Sequence, residues 1–384
     1  MMCAIINARI LCDNDQILDG YCLVINSGFI QKICLASDVP AEAFCIDAEG
    51  CTLLPGFVDL QVNGGGGYLF NDDPSIETIK KIAEAHYQFG TTSLLPTLIS
   101  DDLGKVEQGI KAVNEAIFAK VPGIVGIHIE GPFLNSDRNG IHDKSKIREL
   151  DDVGLAMLKP LVSGKMLVTL APECMPEKHL RTLVNQGIIL CAGHTNANFD
   201  ELMAAFENGV SGVTHLYNAM NPITSRSPNG VGAALFNQDC WCCVIVDGSH
   251  VDPVTITLAM RAKGRLDKFV LVSDAMPTVG QVEGSFILNG EIIVAVGDAC
   301  FNPNGALAGS NLNMAKAVKN ARDLLNLDLA TASRMASINP AQLIRLDQEF
   351  GYLKRGMKAN LVAINDIGVV QRTWIDGEVV WSAN

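Results

Sequence analysis

The sequence predicts an α/β protein built on a (β/α)8 TIM-like barrel, with a small β-sandwich domain built from both termini. Three observations predict this fold class. The middle of the chain alternates β-rich runs with helical periods, which is typical of a parallel sheet wrapped by helices. It contains eight candidate strands, the number that closes a barrel. The two ends of the chain instead contain short alternating strands and turns.

The eight candidate strands are short apolar runs separated by helical patterns. They cover residues 52–60, 92–98, 124–129, 166–171, 188–192, 212–215, 242–246 and 269–272. Segment 103–117 illustrates the helical period, because its apolar residues recur every three or four positions and form one stripe. Strands that alternate with such helices are expected to pair in parallel.

The domain boundaries follow from the change of pattern along the chain. We expect residues 53–348 to form the barrel, and residues 1–52 and 349–384 to form the β-sandwich domain. A hairpin pattern near 282–300, with Asn289-Gly290 at its turn, interrupts the chain after the eighth strand. We expect this hairpin to be an insertion in the barrel.

Composition limits the location and the partners of the protein. No run approaches the roughly 18 consecutive apolar residues of a membrane span, and the N-terminus lacks a signal-peptide pattern, so we expect a cytoplasmic protein. The twelve cysteines show no disulfide spacing, which favours the same location. A net charge of -13 without a basic run argues against nucleic acid or a membrane as partner. An anionic substrate would therefore need a few locally placed cations.

Three of the predicted strands end on residues that bind metal ions. Glu130 follows the run from Ile124, His194 follows the strand at 188–192, and His215 ends the strand at 212–215. One carboxylate and two imidazoles form a ligand set for a hydrolytic metal ion that keeps coordination positions open. An enzyme is therefore the first hypothesis.

Polar side chains also follow the other predicted strands. The C-terminal rim of a (β/α)8 barrel is where chemistry occurs, and random strand ends would not supply so many reactive groups to it. Any one of them alone could be a turn or capping residue. Besides the three residues above, the polar residues at this rim are Gln61, Asn63, Thr97, Glu173, Asp247, His250 and Asp274.

Several motifs carry a family resemblance. Leu54-Pro-Gly-Phe-Val-Asp59 at the first barrel strand, a sandwich split between the termini, and Asp274 after the eighth strand resemble the amidohydrolase superfamily. Within it, the chain resembles the N-acetylglucosamine-6-phosphate deacetylases. The motifs that do so include His128-Ile-Glu-Gly-Pro132, Ala192-Gly-His194, Thr214-His-Leu-Tyr-Asn-Ala-Met220, Asp247-Gly-Ser-His250 and Ser273-Asp-Ala275.

The resemblance implies one divalent metal ion per subunit, held by Glu130, His194 and His215, although some members of the family hold two. Gln61-Val-Asn63 stands where many superfamily members carry His-x-His, and segment 170–173 has no lysine for a second metal. A cyclic-amide hydrolase of the dihydroorotase kind is therefore disfavoured. Zinc is the expected ion, while iron, cobalt, nickel and manganese also suit these ligands. Gln61 is expected to contact the water beside the ion.

The resemblance also implies the catalytic roles. Asp274 is expected to act first as general base and then as general acid toward the departing amine. The alternative is a structural aspartate that caps the next turn. His142 matches the histidine that contacts the acetyl carbonyl, where a hydrogen-bond donor stabilises developing negative charge. Without the resemblance, His142 would read as a solvated loop residue.

Substrate contacts are assigned by resemblance alone. Arg226 and His250 are expected to bind a sugar phosphate, since a guanidinium suits bidentate phosphate binding. Arg226 would reach over from a neighbouring subunit, which implies a homodimer. The other expected contacts to the sugar, its phosphate or its acetyl group are Ile141, Asn218, Ala219, Leu307, Ala308 and Gly309.

The sequence thus predicts a metal-dependent hydrolase that removes acetate from N-acetylglucosamine 6-phosphate and gives glucosamine 6-phosphate, in amino-sugar catabolism. Two alternatives stay open. The same chemistry could act on another N-acyl amino sugar phosphate, such as N-acetylgalactosamine 6-phosphate. The second alternative is a non-catalytic scaffold that keeps the fold. The presence of the full set Glu130, His194, His215 and Asp274 argues against it.

Overall fold

The structure is a computed structural model that describes residues 2–282 and 284–383. Met1, Glu283 and Asn384 fall within the ranges expected for the terminal domain and the hairpin insertion, and they lie outside the described residues. Within those residues, no helix has the length and apolar character needed to cross a membrane.

The strands follow one another along the chain in four groups. The N-terminal strands are β1 Met2–Leu11, β2 Ile17–Asn26, β3 Phe29–Leu35, β4 Phe44–Asp47 and β5 Thr52–Pro55. The next group is β6 Phe57–Val62, β7 Gly64–Gly65, β8 Tyr68–Leu69, β9 Thr91–Ile99, β10 Gly126–Glu130, β11 Lys165–Leu170, β12 Ile189–Ala192, β13 Gly212–Val213, β14 Trp241–Val244 and β15 Phe269–Leu271. An inserted group follows, with β16 Ser285–Leu288, β17 Glu291–Val296, β18 Ala299–Phe301 and β19 Leu307–Ser310. The C-terminal strands are β20 Leu361–Ile364, β21 Val370–Ile375 and β22 Glu378–Ser382.

Most helices lie between the strands of the second group. They are α1 Ile76–Tyr87, α2 Leu103–Phe118, α3 Asp152–Met157, α4 Glu177–Asn185, α5 Phe199–Glu207, α6 Asn229–Phe236, α7 Pro253–Lys263, α8 Met314–Leu325, α9 Leu329–Ala336 and α10 Ile338–Leu343. Helix α5 shows how the sequence starts them, because Asn198 and Glu201 form a capping box that satisfies two N-terminal backbone donors.

Eight strands form the predicted parallel sheet, in the order β15-β14-β13-β12-β11-β10-β9-β6. Every neighbouring pair in this sheet is parallel, so all carboxyl ends reach the same rim. At the seam between β6 and β15, the carboxylate of Asp59 accepts the N–H of Ser273 at 3.2 Å, and the Ser273 hydroxyl donates to the carbonyl of Gln61 at 3.2 Å. The predicted TIM-like fold class is confirmed.

The first predicted strand, 52–60, is two strands in two different sheets. β5 pairs with β1 and β20 in the sheet of the termini, whereas β6 pairs with β9 in the barrel. Gly56 separates them, and a Cβ at this position would lie 2.2 Å from the hydroxyl of Thr92. Glycine is therefore needed where the chain passes from one sheet to the other.

Both termini meet in a second eight-stranded sheet, as predicted. Its order is β22-β21-β20-β5-β1-β2-β3, and β4 pairs with β1. This sheet has a hydrophobic core of its own, which includes the fully buried Ile10, Leu23, Leu53 and Trp374. Burial of this apolar surface provides the favourable free energy that holds the two ends of the chain together.

The inserted strands β16 to β19 form a small antiparallel sheet against the barrel rim. The N–H of Ser310 donates to the carbonyl of Asp274 at 2.9 Å, and the side chain of Asn289 donates to the carbonyl of Ile141 at 3.1 Å. These contacts bring segment 307–309 to the mouth of the barrel.

Candidate metal and catalytic site

Glu130, His194 and His215 converge at the centre of the rim and form a possible metal-binding cluster. The Nε2 atoms of the two histidines lie 3.1 Å apart, and each lies close to Oε1 of Glu130, at 3.2 Å from His194 and 2.9 Å from His215. Ligand atoms about 2.0 Å from a tetrahedral ion are separated by roughly 3.3 Å. The three donor atoms therefore fit one divalent ion.

The neighbourhood of His194 orients its ring for ligation. Its Nδ1 lies 2.8 Å from the backbone carbonyl of Arg138, which can only accept a hydrogen bond. Nδ1 therefore carries the proton, and the lone pair of Nε2 faces Glu130 and His215. A metal-binding histidine is commonly oriented by such a hydrogen bond from the ring nitrogen that does not bind the metal.

Three of the central residues also have left-handed backbone conformations. The φ angles are +49° at His194, +33° at His215 and +53° at Asp274. Such angles are rare for residues with a side chain and cost on the order of 1–3 kcal/mol each. They aim these side chains into the barrel mouth directly after their strands end.

Burial and local charge set the protonation of the cluster. Burial favours the neutral form of Glu130, but contact with the His194 and His215 imidazoles outweighs it and holds the Glu130 pKa well below its usual range. Burial opposes the charge on His215 too, yet the Glu130 carboxylate raises the pKa of His215 above its usual value. The buried carboxylate thus attracts positive charge, and a cation can replace the histidine proton.

Asp274 lies beside this cluster and is held by two amides. Gln61 Nε2 donates to Asp274 Oδ1 at 3.0 Å and to Glu130 Oε2 at 3.1 Å, while Asn63 Nδ2 donates to the same Oδ1 at 2.7 Å. Burial, and next the Glu130 carboxylate, raise the pKa of Asp274 to about 6. A carboxylate with this pKa suits proton transfer near neutral pH.

Glu130, His194, His215, Asn63 and Asp274 line a cavity of about 240 Å³. Six residues that the sequence assigns to substrate contacts also line it, namely Ile141, Asn218, Ala219, His250, Leu307 and Gly309. Ala308 lies between Leu307 and Gly309 in the sequence. It is fully buried and is not one of the described residues that line the cavity. Arg226 lies in an exposed loop and does not line the cavity of its own subunit.

Two further histidines face the cavity. His142 lines it with its ring 4.4 Å from the ring of His194, and burial and then His194 lower the pKa of His142 to about 3. His250 Nδ1 lies 2.6 Å from Asp247 Oδ2. Burial opposes the charge on Asp247, but contact with His250 holds the Asp247 pKa below its usual value. The Asp247 carboxylate therefore orients the His250 ring.

Several residues contribute to the site in ways that the sequence did not indicate. Asn63 contacts Asp274, Ile99 and Ile245 line the cavity, and Ser100 contacts the ring of His142. Ser100 directly follows β9 and is polar, which is the same signal that identified the other rim residues. Its partner His142 is 42 positions away, and no sequence spacing indicates that pairing.

The fold and the rim site define a member of a hydrolase family. The chain belongs to the amidohydrolase family, whose family model matches residues 52–380.

Individual relatives extend this finding over the whole chain. It is 32% identical over 387 residues to the N-acetylglucosamine-6-phosphate deacetylase of Haemophilus influenzae, with full coverage of both chains. It is 41% identical to the N-acetylgalactosamine-6-phosphate deacetylase of Shewanella sp. (strain ANA-3), covering 86% of this chain and 84% of that one. The crystal structure of N-acetylglucosamine-6-phosphate deacetylase from Pasteurella multocida aligns with a TM-score of 0.94 at 35% identity and covers 99% of each chain.

Proposed function

We propose that this chain hydrolyses the acetyl amide of N-acetylglucosamine 6-phosphate and gives glucosamine 6-phosphate and acetate in amino-sugar catabolism. The observation that carries the proposal is the Glu130, His194 and His215 cluster with Asp274 beside it in one cavity. The relatives with this name along the full length of the chain support the substrate. A non-catalytic scaffold would gain nothing from three buried polar groups and a partly buried aspartate in one cavity.

In the proposed reaction the cluster holds one divalent ion, for which zinc is the first choice. Bound by these residues, such an ion would acidify the attacking water and polarise the amide carbonyl. Asp274 takes the proton from the water and passes it to the departing amine. Gln61 and Asn63 both donate to Oδ1 of Asp274, which leaves Oδ2 to carry the proton.

His142 and the surrounding residues position the substrate in this proposal. His142 donates a hydrogen bond to the acetyl carbonyl, where negative charge develops as the water adds. His250 binds the phosphate, and Asp247 keeps its ring in place. Asn218 and Ala219 contact the phosphate through their backbone, while Ile141, Leu307, Ala308 and Gly309 enclose the sugar and its acetyl group.

An acetate-release assay tests the substrate. We expect the highest kcat/KM with N-acetylglucosamine 6-phosphate, and a lower value with unphosphorylated N-acetylglucosamine. Equal rates with both sugars would remove the phosphate assignment. N-acetylgalactosamine 6-phosphate belongs in the same assay because the relative from Shewanella carries that name. A preference for this sugar would replace the glucose configuration in the proposal and leave the chemistry unchanged.

We further propose a homodimer in which Arg226 binds the phosphate in the neighbouring active site. Its place in an exposed loop, outside the cavity of its own subunit, supports this arrangement. Arg226→Ala should raise KM by roughly 10- to 150-fold, because one charged contact of about 1.5–3 kcal/mol is lost, and should change kcat little.

Mixed dimers show whether Arg226 acts in the active site of its own subunit or in that of the neighbouring subunit. An Arg226→Ala subunit paired with an Asp274→Asn subunit should contain one complete site, made of Asp274 from the first and Arg226 from the second. Mixing the two variants should therefore restore a low KM. No recovery in verified mixed dimers would contradict the contact between subunits.

The proposed location is the cytoplasm. All twelve cysteines are in described positions and are unpaired in the structure. Unpaired thiols persist in a reducing compartment.

A further inference from the structure

Ser100 and His142 meet beside the cavity through two hydrogen bonds. The backbone N–H of Ser100 donates to Nδ1 of His142 at 3.2 Å, and the Ser100 hydroxyl lies 2.8 Å from the same nitrogen. A backbone N–H can only donate a hydrogen bond. Nδ1 is therefore the acceptor and carries no proton.

This contact determines which ring nitrogen of His142 bears hydrogen. A neutral imidazole has one N–H, so with Nδ1 as acceptor the proton lies on Nε2. Nδ1 faces Ser100, and Nε2 lies on the opposite side of a ring that lines the cavity. We propose that Ser100 is a positioning residue that holds His142 in the neutral Nε2–H form and so directs its one N–H toward the amide carbonyl.

The surroundings of Ser100 hold it in place for this role. The side chain of Asn71 accepts the N–H of Ile99 at 2.9 Å and donates to the carbonyl of Ile99 at 3.0 Å, which anchors the backbone just before Ser100. Gly131 leaves space on the other side, since a Cβ there would lie 2.2 Å from the Ser100 hydroxyl oxygen. Ser100 and His142 are both buried, at 5% and 3% exposure, so water does not compete for Nδ1.

The inference rests on the proposed function, because the Nε2–H group acts on the carbonyl of the bound amide. As the carbonyl oxygen gains negative charge, a preorganised donor stabilises the transition state more than the ground state. The other neutral tautomer of His142, with its proton on Nδ1, would place an N–H against the backbone N–H of Ser100 and a lone pair toward the carbonyl. Loss of the correct form should therefore lower kcat and leave KM largely unchanged.

Ser100→Ala tests the hydroxyl, because it keeps the backbone N–H and removes only the second donor. We expect kcat to fall about 10-fold or more and KM to change by less than about threefold. Ser93→Ala is the matched control, since Ser93 is buried in β9, the strand that Ser100 follows, and its hydroxyl has no partner among the described residues. This control should keep kcat within about twofold of the wild type.

A double-mutant cycle shows whether Ser100 acts through His142. In the His142→Gln background, Ser100→Ala should lower kcat by less than about twofold, because the ring it positions is gone. A loss as large as in the wild-type background would overturn the proposal, as would a Ser100→Ala variant no slower than Ser93→Ala. The metal content of every variant should equal that of the wild type.

Nitrogen NMR of the wild-type protein labelled in histidine decides the question without any substitution at Ser100. The signals of His142 are those lost in His142→Gln. We expect a protonated Nε2 and an unprotonated Nδ1, whereas a proton on Nδ1 would overturn the proposal. If the wild type releases no acetate from any of the sugars, the proposed function fails, and the NMR result still reports on the Ser100 contact.

Discussion

The barrel rim and the sheet of the termini use their buried residues in opposite ways. At the rim, the buried Glu130, His194 and His215 pack against one another beside the partly buried Asp274, and the two histidines and Asp274 have positive φ angles. The core of the terminal sheet is apolar, with Trp374 completely buried. Buried charge and backbone strain lower stability, whereas buried apolar surface raises it. The comparison indicates that the rim is arranged for chemistry at a cost in stability that apolar cores such as this one offset.

A substitution at Asp274 should break the function and spare the fold. Asp274→Asn keeps the hydrogen bond from Asn63 but can no longer take a proton, so kcat should fall by about 10² to 10⁴. Unfolding should show equal or higher stability, because one of two neighbouring carboxylates has lost its charge.

Metal analysis accompanies this measurement. The Asp274→Asn protein should bind as much metal as the wild type, while Glu130→Gln should lose both metal and activity. An Asp274→Asn variant with near-normal kcat would eliminate Asp274 as the proton acceptor.

A substitution in the terminal sheet should have the reverse effect. Trp374→Ala removes the largest fully buried side chain and should lower the free energy of unfolding by about 3–5 kcal/mol. At a temperature where the variant stays folded, its kcat should lie within about threefold of the wild type. Trp381→Ala is the matched control in the same sheet, and it should lose less stability because Trp381 is half-buried. A large loss of kcat without a loss of stability would contradict the division of roles.

The pH dependence of stability at Asp59 tests whether buried charge lowers the stability of the barrel. Burial raises the pKa of Asp59 to about 7, above the value near 4 of an unfolded chain, so folding favours the protonated form. Stability is therefore lost as pH rises from about 4 through 7. Asp59→Asn has no charge to form, so its stability relative to the wild type should increase by about 3 kcal/mol between pH 5 and pH 8. Denaturation curves whose difference does not change with pH would contradict this account.

The sequence predicted the parts of this molecule that depend on local pattern and on general rules of the fold. The ends of the strands could be predicted from the apolar runs. Because the strands pair in parallel, the polar residues that follow them must lie at the same rim of the barrel. Glu130, His194 and His215 meet there for that reason. The roles of Arg226 and of the residues around the sugar came from family resemblance alone, and they stay predictions.

Other features depend on contacts that no local pattern encodes. The division of segment 52–60 at Gly56 follows from the approach of Thr92, a residue on another strand. The pairing of Ser100 with His142, and of Asn63 with Asp274, depends on the distance between side chains far apart in the chain. Such hydrogen bonds are set by tertiary packing, and for this reason they became visible only in the structure.

Titration of the metal-free protein with Zn²⁺, with acetate release from N-acetylglucosamine 6-phosphate measured at each addition, tests the central claim most directly. One carboxylate and two imidazoles form a single set of ligands, so activity should rise linearly and level off at one equivalent per chain. Activity that is already complete without metal, or that stays absent at any amount of added metal, would contradict the account.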